Sequence, residues 1–213
     1  MDASEILSAL ELGEFELRFR PRVSLCDGHI DSIETLLTPA GFGYNADGFG
    51  LGAELGWQIV ADAVSAMRLW SDCGFRPRVW LPMPRGALAA RQNMSAFAAL
   101  NGVGEERLLC ADATQVLTID AAMVEEAAES RRAKNILGAL LEKAHAAGML
   151  STAQGVSTLL QWEMLGELGC GYASGEFIAP DRLAHGLPDA LSTWSERYAA
   201  INAVNELELG TYE

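Results

Sequence analysis

Residues 15–38, FELRFRPRVSLCDGHIDSIETLLT, alternate apolar and charged side chains on both sides of an Asp27-Gly28 pair. Period-two alternation interrupted by Asp-Gly is the pattern of a β-hairpin: glycine takes the positive φ of a tight turn, and the alternation gives each strand one face for a core. The rest of the chain does not continue in hairpins. From Ala53 to Cys73 the apolar residues Leu55, Ile59, Val60, Val64, Met67 and Leu69-Trp70 recur at helical spacing, and Gly74 stands where a helix would close. Residues 78–83 (RVWLPM) and 107–113 (RLLCADA) read as short buried strands, with small helical pieces between them to about residue 100. A polar helix near 120–132 precedes a second helical run over 133–148, then a strand over 149–153, a helix over 157–168, a strand over 171–178 and a mostly helical tail over 187–209. A hairpin followed by alternating β and α units, with no linker or repeat, predicts one α/β barrel-like domain.

Charge and cysteine usage exclude several function classes. The 213 residues hold 15 Lys and Arg against 29 Asp and Glu, a formal charge of −14, and the basic residues are scattered. Nucleic acid and anionic membranes both require a concentrated positive surface, so neither is expected as a partner. Cys26, Cys73, Cys110 and Cys170 are far apart and form no C-x-x-C pair. That spacing suits reduced, mostly buried thiols, neither a zinc site nor a disulfide framework. His29, His145 and His185 are too dispersed for a metal cluster, and Trp57, Trp70, Trp80, Trp162 and Trp194 are expected as core or interface anchors. The N-terminus carries acids where a secretory signal would carry positive charge, and no apolar run approaches the ~20 residues that span a bilayer, so a soluble, cytoplasmic chain is expected. The glycine-rich stretch PAGFGYNADGFGLG (39–52) lacks a P-loop lysine and a strand-to-helix dinucleotide fingerprint, and reads as a loop.

Two segments carry a family resemblance. The opening hairpin, with Glu34-Thr35-Leu36 in place of Glu-Ala-Leu, and the stretch LEKAHAAGMLSTAQGVSTLLQWEMLGELGCGYASGEFIAP resemble the EAL domain family, bacterial phosphodiesterases that hydrolyse cyclic di-GMP on a modified TIM barrel. The second segment is the more specific, since helix, strand end, helix and strand keep the family's spacing. The resemblance runs over about residues 5–195 and implies a single EAL-like domain over 1–213 with a helical C-terminal tail.

The family's chemistry implies two divalent cations held by oxygens from several strand ends, which activate water for attack on a phosphodiester. Of the implied ligands, Glu34 is retained. Leu81-Pro82-Met83 replaces Asn-Leu-Ser, and Ala111 falls in the strand whose counterpart carries a carboxylate, Asp112 returning one only through a register shift. Gln154 stands for the glutamate of Ala-Glu-Gly-Val-Glu, Ser157 for its last glutamate, Thr38 for an arginine that meets the ligand, and Ser174 for a glutamine. Arg20, in place of the opening strand's glutamine, could meet a phosphate, but a strand-end arginine facing acidic neighbours is the plainer expectation. About 20 residues separate Ala113 from Ala133, with no Asp-Asp-Phe-Gly loop and no further strand-like run.

The expected fold is therefore α/β, a modified TIM-like (β/α) barrel of EAL type, incomplete with about two strands missing and about six left. No catalytic, cofactor-binding or metal residue is assigned, and no cofactor; Glu34, Thr38, Met83, Ala111, Gln154 and Ser174 are vestigial positions. The function expected is that of a chain without enzyme activity, an interaction module controlling motility, signalling or transcription through a protein partner or a homodimer that covers the open barrel edge. The alternatives are a cyclic di-GMP receptor that does not hydrolyse its ligand, binding it weakly, and an active phosphodiesterase.

Overall fold

The alternation over 15–38 forms the hairpin it predicts. In the computed structural model, which describes residues 15–38, 51–81, 91–110 and 116–209 together with Ser8 and Leu12, β1 (Glu16–Ser24) pairs antiparallel with β2 (Ile30–Thr38). Gly28 turns the chain at φ 65°, a conformation that carries little strain only without a Cβ. The register slips between Arg22 and Val23, and this bulge is why Pro21, Arg22 and Val23 are all buried in an otherwise alternating strand.

Each later strand is short and precedes or follows a helix. In chain order come α1 (Gly52–Asp72), β3 (Val79–Leu81), α2 (Arg91–Leu100), β4 (Leu108–Cys110) and β5 (Val116–Ile119). They are followed by α3 (Ala121–Glu129), α4 (Arg131–Ala146), β6 (Leu150–Ala153), α5 (Leu159–Glu167), β7 (Tyr172–Ala173) and α6 (Leu187–Leu209). The seven described strands form one sheet in the order β4-β3-β2-β1-β7-β6-β5. Neighbours are parallel except that β1 runs antiparallel to both β2 and β7.

The covalent chain curls this sheet. Its two edges, β4 and β5, are consecutive in sequence and joined by residues 111–115. Such a connection reaches at most about 22 Å, whereas the edges of a flat seven-stranded sheet lie about 29 Å apart. The result is an incomplete barrel with helices outside it, as the sequence predicts. Two details differ from expectation. β5 lies in the interval read as free of strands, which makes seven strands and not six: Val-Leu-Thr-Ile is four residues long, too short for periodicity to reveal, and pairing with β6 from Val116↔Leu150 to Ile119↔Ala153 secures it. The strand expected over 171–178 stops at Ala173, because Ser174 and Gly175 begin a turn in which Ile178 and Ala179 N–H groups both donate to the Gly175 carbonyl.

Two apolar clusters flank the sheet. One gathers Leu55, Ile59, Val60, Val64, Met67 and Trp70 of α1 onto Phe19, Ile33, Val79 and Leu81. The other gathers side chains of α3, α4, α5 and α6 onto Val23, Ile119, Ala153 and Ala173. Trp70, Trp162 and Trp194 are buried as expected, while Trp57 is 38% exposed. Cys26 and Cys73 are exposed, contrary to the expectation of buried thiols: one lies in the hairpin turn and the other just past the end of α1, where no core reaches. Cys170 is buried. Among the described residues no helix is long and apolar enough to cross a membrane.

Candidate functional site

Glu34 sits mid-strand in β2, opposite Arg20 of β1 and beside Trp80 of β3. The alternation that sends Ile33 into the cluster on α1 puts Glu34 on the opposite face of the sheet. There it is 9% exposed, and the Ser174 hydroxyl, just past the end of β7, donates to its Oε2 at 3.1 Å. Burial pushes the Glu34 carboxyl above its usual range; the Ser174 hydrogen bond and the charges of Arg22 and Arg20 oppose the rise, and Asp181 adds to it.

Asp181 reaches the site through a contact far apart in sequence. Phe19 and Arg182 exchange two backbone hydrogen bonds, Phe19 N–H to Arg182 O at 2.7 Å and Arg182 N–H to Phe19 O at 3.0 Å, which lays the segment after Pro180 along β1. The Arg20 guanidinium then donates Nε to Asp181 Oδ1 at 2.5 Å and Nη2 to Oδ2 at 2.8 Å, a bidentate fork that fixes its plane. Burial works to lower the Arg20 pKa, but the Asp181 hydrogen bond and the charges of Asp181, Glu34 and Glu176 outweigh it, so the group is held above its usual value. The pair leaves Nη1 for another acceptor.

A cleft of about 490 Å³ opens over this pair, walled by Arg20, Asp181, Glu176, Ser157 and two glycines. Gly175 has φ 151°, and a Cβ there would stand 2.3 Å from the Val156 carbonyl; no other residue allows the two backbones to meet. Ser157 is fixed by Gln161, whose Oε1 accepts from both the Ser157 N–H at 2.8 Å and its hydroxyl at 3.1 Å. Toward the other end of the strands, Arg22 lies 4.7 Å from the ring centroids of both Trp80 and Tyr172 and donates Nη2 to Asp31 at 2.5 Å. Asp31 also takes Arg78. Burial works to raise the Asp31 pKa, but hydrogen bonds from Arg22 and Ser32 and the charges of Arg22 and Arg78 hold it below its usual range.

Of the six positions singled out in the sequence, Glu34 and Ser174 meet. Gln154 follows β6 as Ser174 follows β7, and the Ala153↔Ala173 register sets the two side by side; the Gln154 side chain is half-buried. Thr38 is exposed at the far end of β2, four residues beyond Glu34, about 13 Å along the strand. Met83 and Ala111 lie outside the described residues. Arg20 faces acidic neighbours, the plainer of its two expected roles. Asp181 and Glu176 were missed: Glu176 lies inside the run read as a strand over 171–178 and Asp181 just after it, and the pairing that brings Asp181 home spans 161 residues.

The described side chains do not make a cage for the divalent cations that the family resemblance implies. Both Asp181 oxygens are taken by Arg20, a Glu34 oxygen by Ser174, and among the described residues no three His, Cys, Asp or Glu side chains converge as metal ligands do.

The curled, mostly parallel sheet with one reversed strand has parallels among known proteins. Residues 107–181 match the model of the EAL domain family. The structure superposes on the EAL domain of FimX with a TM-score of 0.70 at 18% identity, covering 84% of this chain and 94% of that one. Its fold is that of an EAL domain. A complex of the phosphodiesterase PaMucR with c-di-GMP matches with a TM-score of 0.68 at 22% identity, over 86% of this chain and 99% of that one. The EAL domain of DcpA from Mycobacterium smegmatis matches with 0.67 at 16%, over 84% and 98%. No curated protein matches by sequence.

These findings overturn the expectation of a chain without enzyme activity. Residues 107–181 match the EAL domain family, the fold is that of EAL domains, and one of the superposed proteins is itself a phosphodiesterase. The expectation rested on the absence of an Asp-Asp-Phe-Gly segment between Ala113 and Ala133 and on substitutions at Met83, Ala111, Gln154 and Ser157, and such departures in the sequence do not establish loss of activity. The EAL fold also brings Asp181, which that reading did not count, to the same mouth as Glu34.

Proposed function

We propose that this EAL-type chain acts in cyclic-dinucleotide signalling, recognising a phosphodiester ligand in the cleft over Arg20, and that a protein partner reads the occupied state. The observation that carries this reading is the Arg20 guanidinium at the mouth of the barrel, its plane fixed by Asp181 and its Nη1 free to meet a phosphate oxygen. Active sites of such barrels lie at the carboxyl ends of the parallel strands, where Ser174 and Gln154 also lie. The PaMucR structure and one of the FimX EAL domain from Xanthomonas citri, the latter 18% identical with a TM-score of 0.66, both hold c-di-GMP, which makes that dinucleotide the first ligand to test.

Isothermal titration with cyclic di-GMP in millimolar magnesium tests the reading. A Kd in the micromolar range or tighter is expected, weakened about tenfold in Arg20→Ala, the worth of one charge-assisted contact, and less in Arg20→Lys. Absence of binding overturns it, and product analysis of the same samples reads turnover.

A second reading, pairing of a protein chain with the edge of β5, which among the described strands pairs with β6 alone, is favoured by the exposure of Thr118 on β5 and of Leu150 (46%) opposite Val116 on β6. Light scattering that finds only monomer at high concentration argues against a second copy there.

A further inference from the structure

The outer side of α5 carries a surface that the cleft does not use. Its inward residues Trp162, Met164 and Leu165 are spent on the second cluster. Its outward residues Leu159, Leu160, Glu163, Gly166 and Glu167 are all exposed. The two leucines, 40% and 64% exposed, stand at the start of the helix, and the acids stand one and two turns later. At that acidic end α5 walls a groove of about 390 Å³ against Tyr198 and Ile201 of α6, closed by Leu25 and Cys26 of the hairpin turn. Gly166 leaves the groove open to backbone, with nothing within 4 Å of where a Cβ would stand.

The surface therefore has an apolar end, an acidic end and an aromatic wall. Exposed leucines side by side on a helix are met by apolar side chains of a partner. Glu163 and Glu167, of which the second already holds Lys134 at 2.8 Å, call for Lys or Arg, as does a chain of formal charge −14, and the half-buried Tyr198 lines the same groove. From Leu159 to Glu167 the stripe is about 12 Å long, the length of two to three turns of a partner helix. We infer that this face of α5 and its groove dock a basic amphipathic helix of a partner protein. The inference goes beyond ligand recognition in the cleft and does not depend on it.

Fluorescence anisotropy of a labelled synthetic Leu/Lys amphipathic peptide, with a Leu/Glu peptide of equal length as its counterpart, tests the inference on the full chain at physiological salt. The Leu/Lys peptide is expected to bind with micromolar Kd and the Leu/Glu peptide not to bind. Leu160→Ser and Glu163→Lys, both at exposed positions, are each expected to weaken binding about tenfold. Glu142→Lys, on an exposed position of α4, is expected to leave it within about twofold, because screening confines the effect of a distant surface charge. Bound peptide should also slow thiol modification of Cys26, mapped by mass spectrometry, while leaving Cys73, which is also exposed, unchanged. No binding of the Leu/Lys peptide, an effect of Glu142→Lys as large as that of Glu163→Lys, or an unprotected Cys26 in the bound state overturns the proposal.

Discussion

The two apolar clusters on either side of β1 are built in opposite ways. The first is centred on a single element: α1, 21 residues or about six turns long, supplies ten buried residues, from Gly52 to Trp70. The second is assembled from α3, α4, α5 and α6, and its centre is a set of rings: Trp162 lies 5.3 Å from Trp194 and 6.0 Å from Phe177, and Trp194 lies 5.6 Å from Tyr198. Each cluster is tied to a distant loop by one indole. Trp70 Nε1 donates to the Ala184 carbonyl at 2.7 Å, and Trp194 Nε1 donates to the Gly28 carbonyl at 3.0 Å. One long stripe tolerates many apolar sequences, whereas short helices need turns and caps at fixed places. The family match accordingly falls on 107–181, which holds most of the second cluster's strands and helices, while the first half is related through its fold.

The largest test of that contrast removes the indoles. Trp194→Ala is expected to cost about 3–5 kcal/mol, and by hydrogen exchange to release the β1–β2 turn and α5 while α1 stays protected. Trp70→Ala should cost a similar amount and release α1 first. Uniform loss of protection in both variants would mean that the clusters are one cooperative unit.

Next in size is Gly175→Ala. The Cβ meets backbone at Val156, which cannot swing aside as a side chain does, so about 1–3 kcal/mol is expected, together with weaker binding in the cleft. Wild-type stability would show that the turn relaxes freely.

The sequence made the hairpin, α1 and the helical run of α4 legible, because each is a long periodic pattern. It left β5 hidden, because four residues carry no period. It placed the boundary of α3 and α4 at 132/133, two residues late: Ser130, at φ −125° and ψ 117°, ends one helix and caps the next by accepting from the Ala133 N–H at 3.3 Å. At the site, Glu34 and Ser174 were legible through the family pattern, but their direct contact was not. Asp181 was not legible at all, since its place depends on a two-bond bridge between Phe19 and Arg182, and local sequence does not encode such a pairing.

The smallest expected effect separates the site from the clusters. Glu34 has its pKa raised by burial, so the folded state holds the proton more tightly than the unfolded one. Its contribution is fully present below the unfolded-state pKa and is lost as pH rises through the folded-state value. Glu34→Gln keeps an acceptor for Ser174 without the buried charge. It is expected to be more stable than wild type near neutral pH, seen as a small rise in Tm, with the difference vanishing in acid. A difference that persists unchanged at low pH would show that the carboxyl is not the cause.

The most direct measurement of the central claim is a crystal structure of the protein soaked with cyclic di-GMP and magnesium. The account predicts a dinucleotide in the cleft with a phosphate oxygen on Arg20 and the Gly175 turn in place. A dinucleotide seated elsewhere on the molecule, with the cleft empty and Arg20 engaged by Asp181 alone, would contradict it.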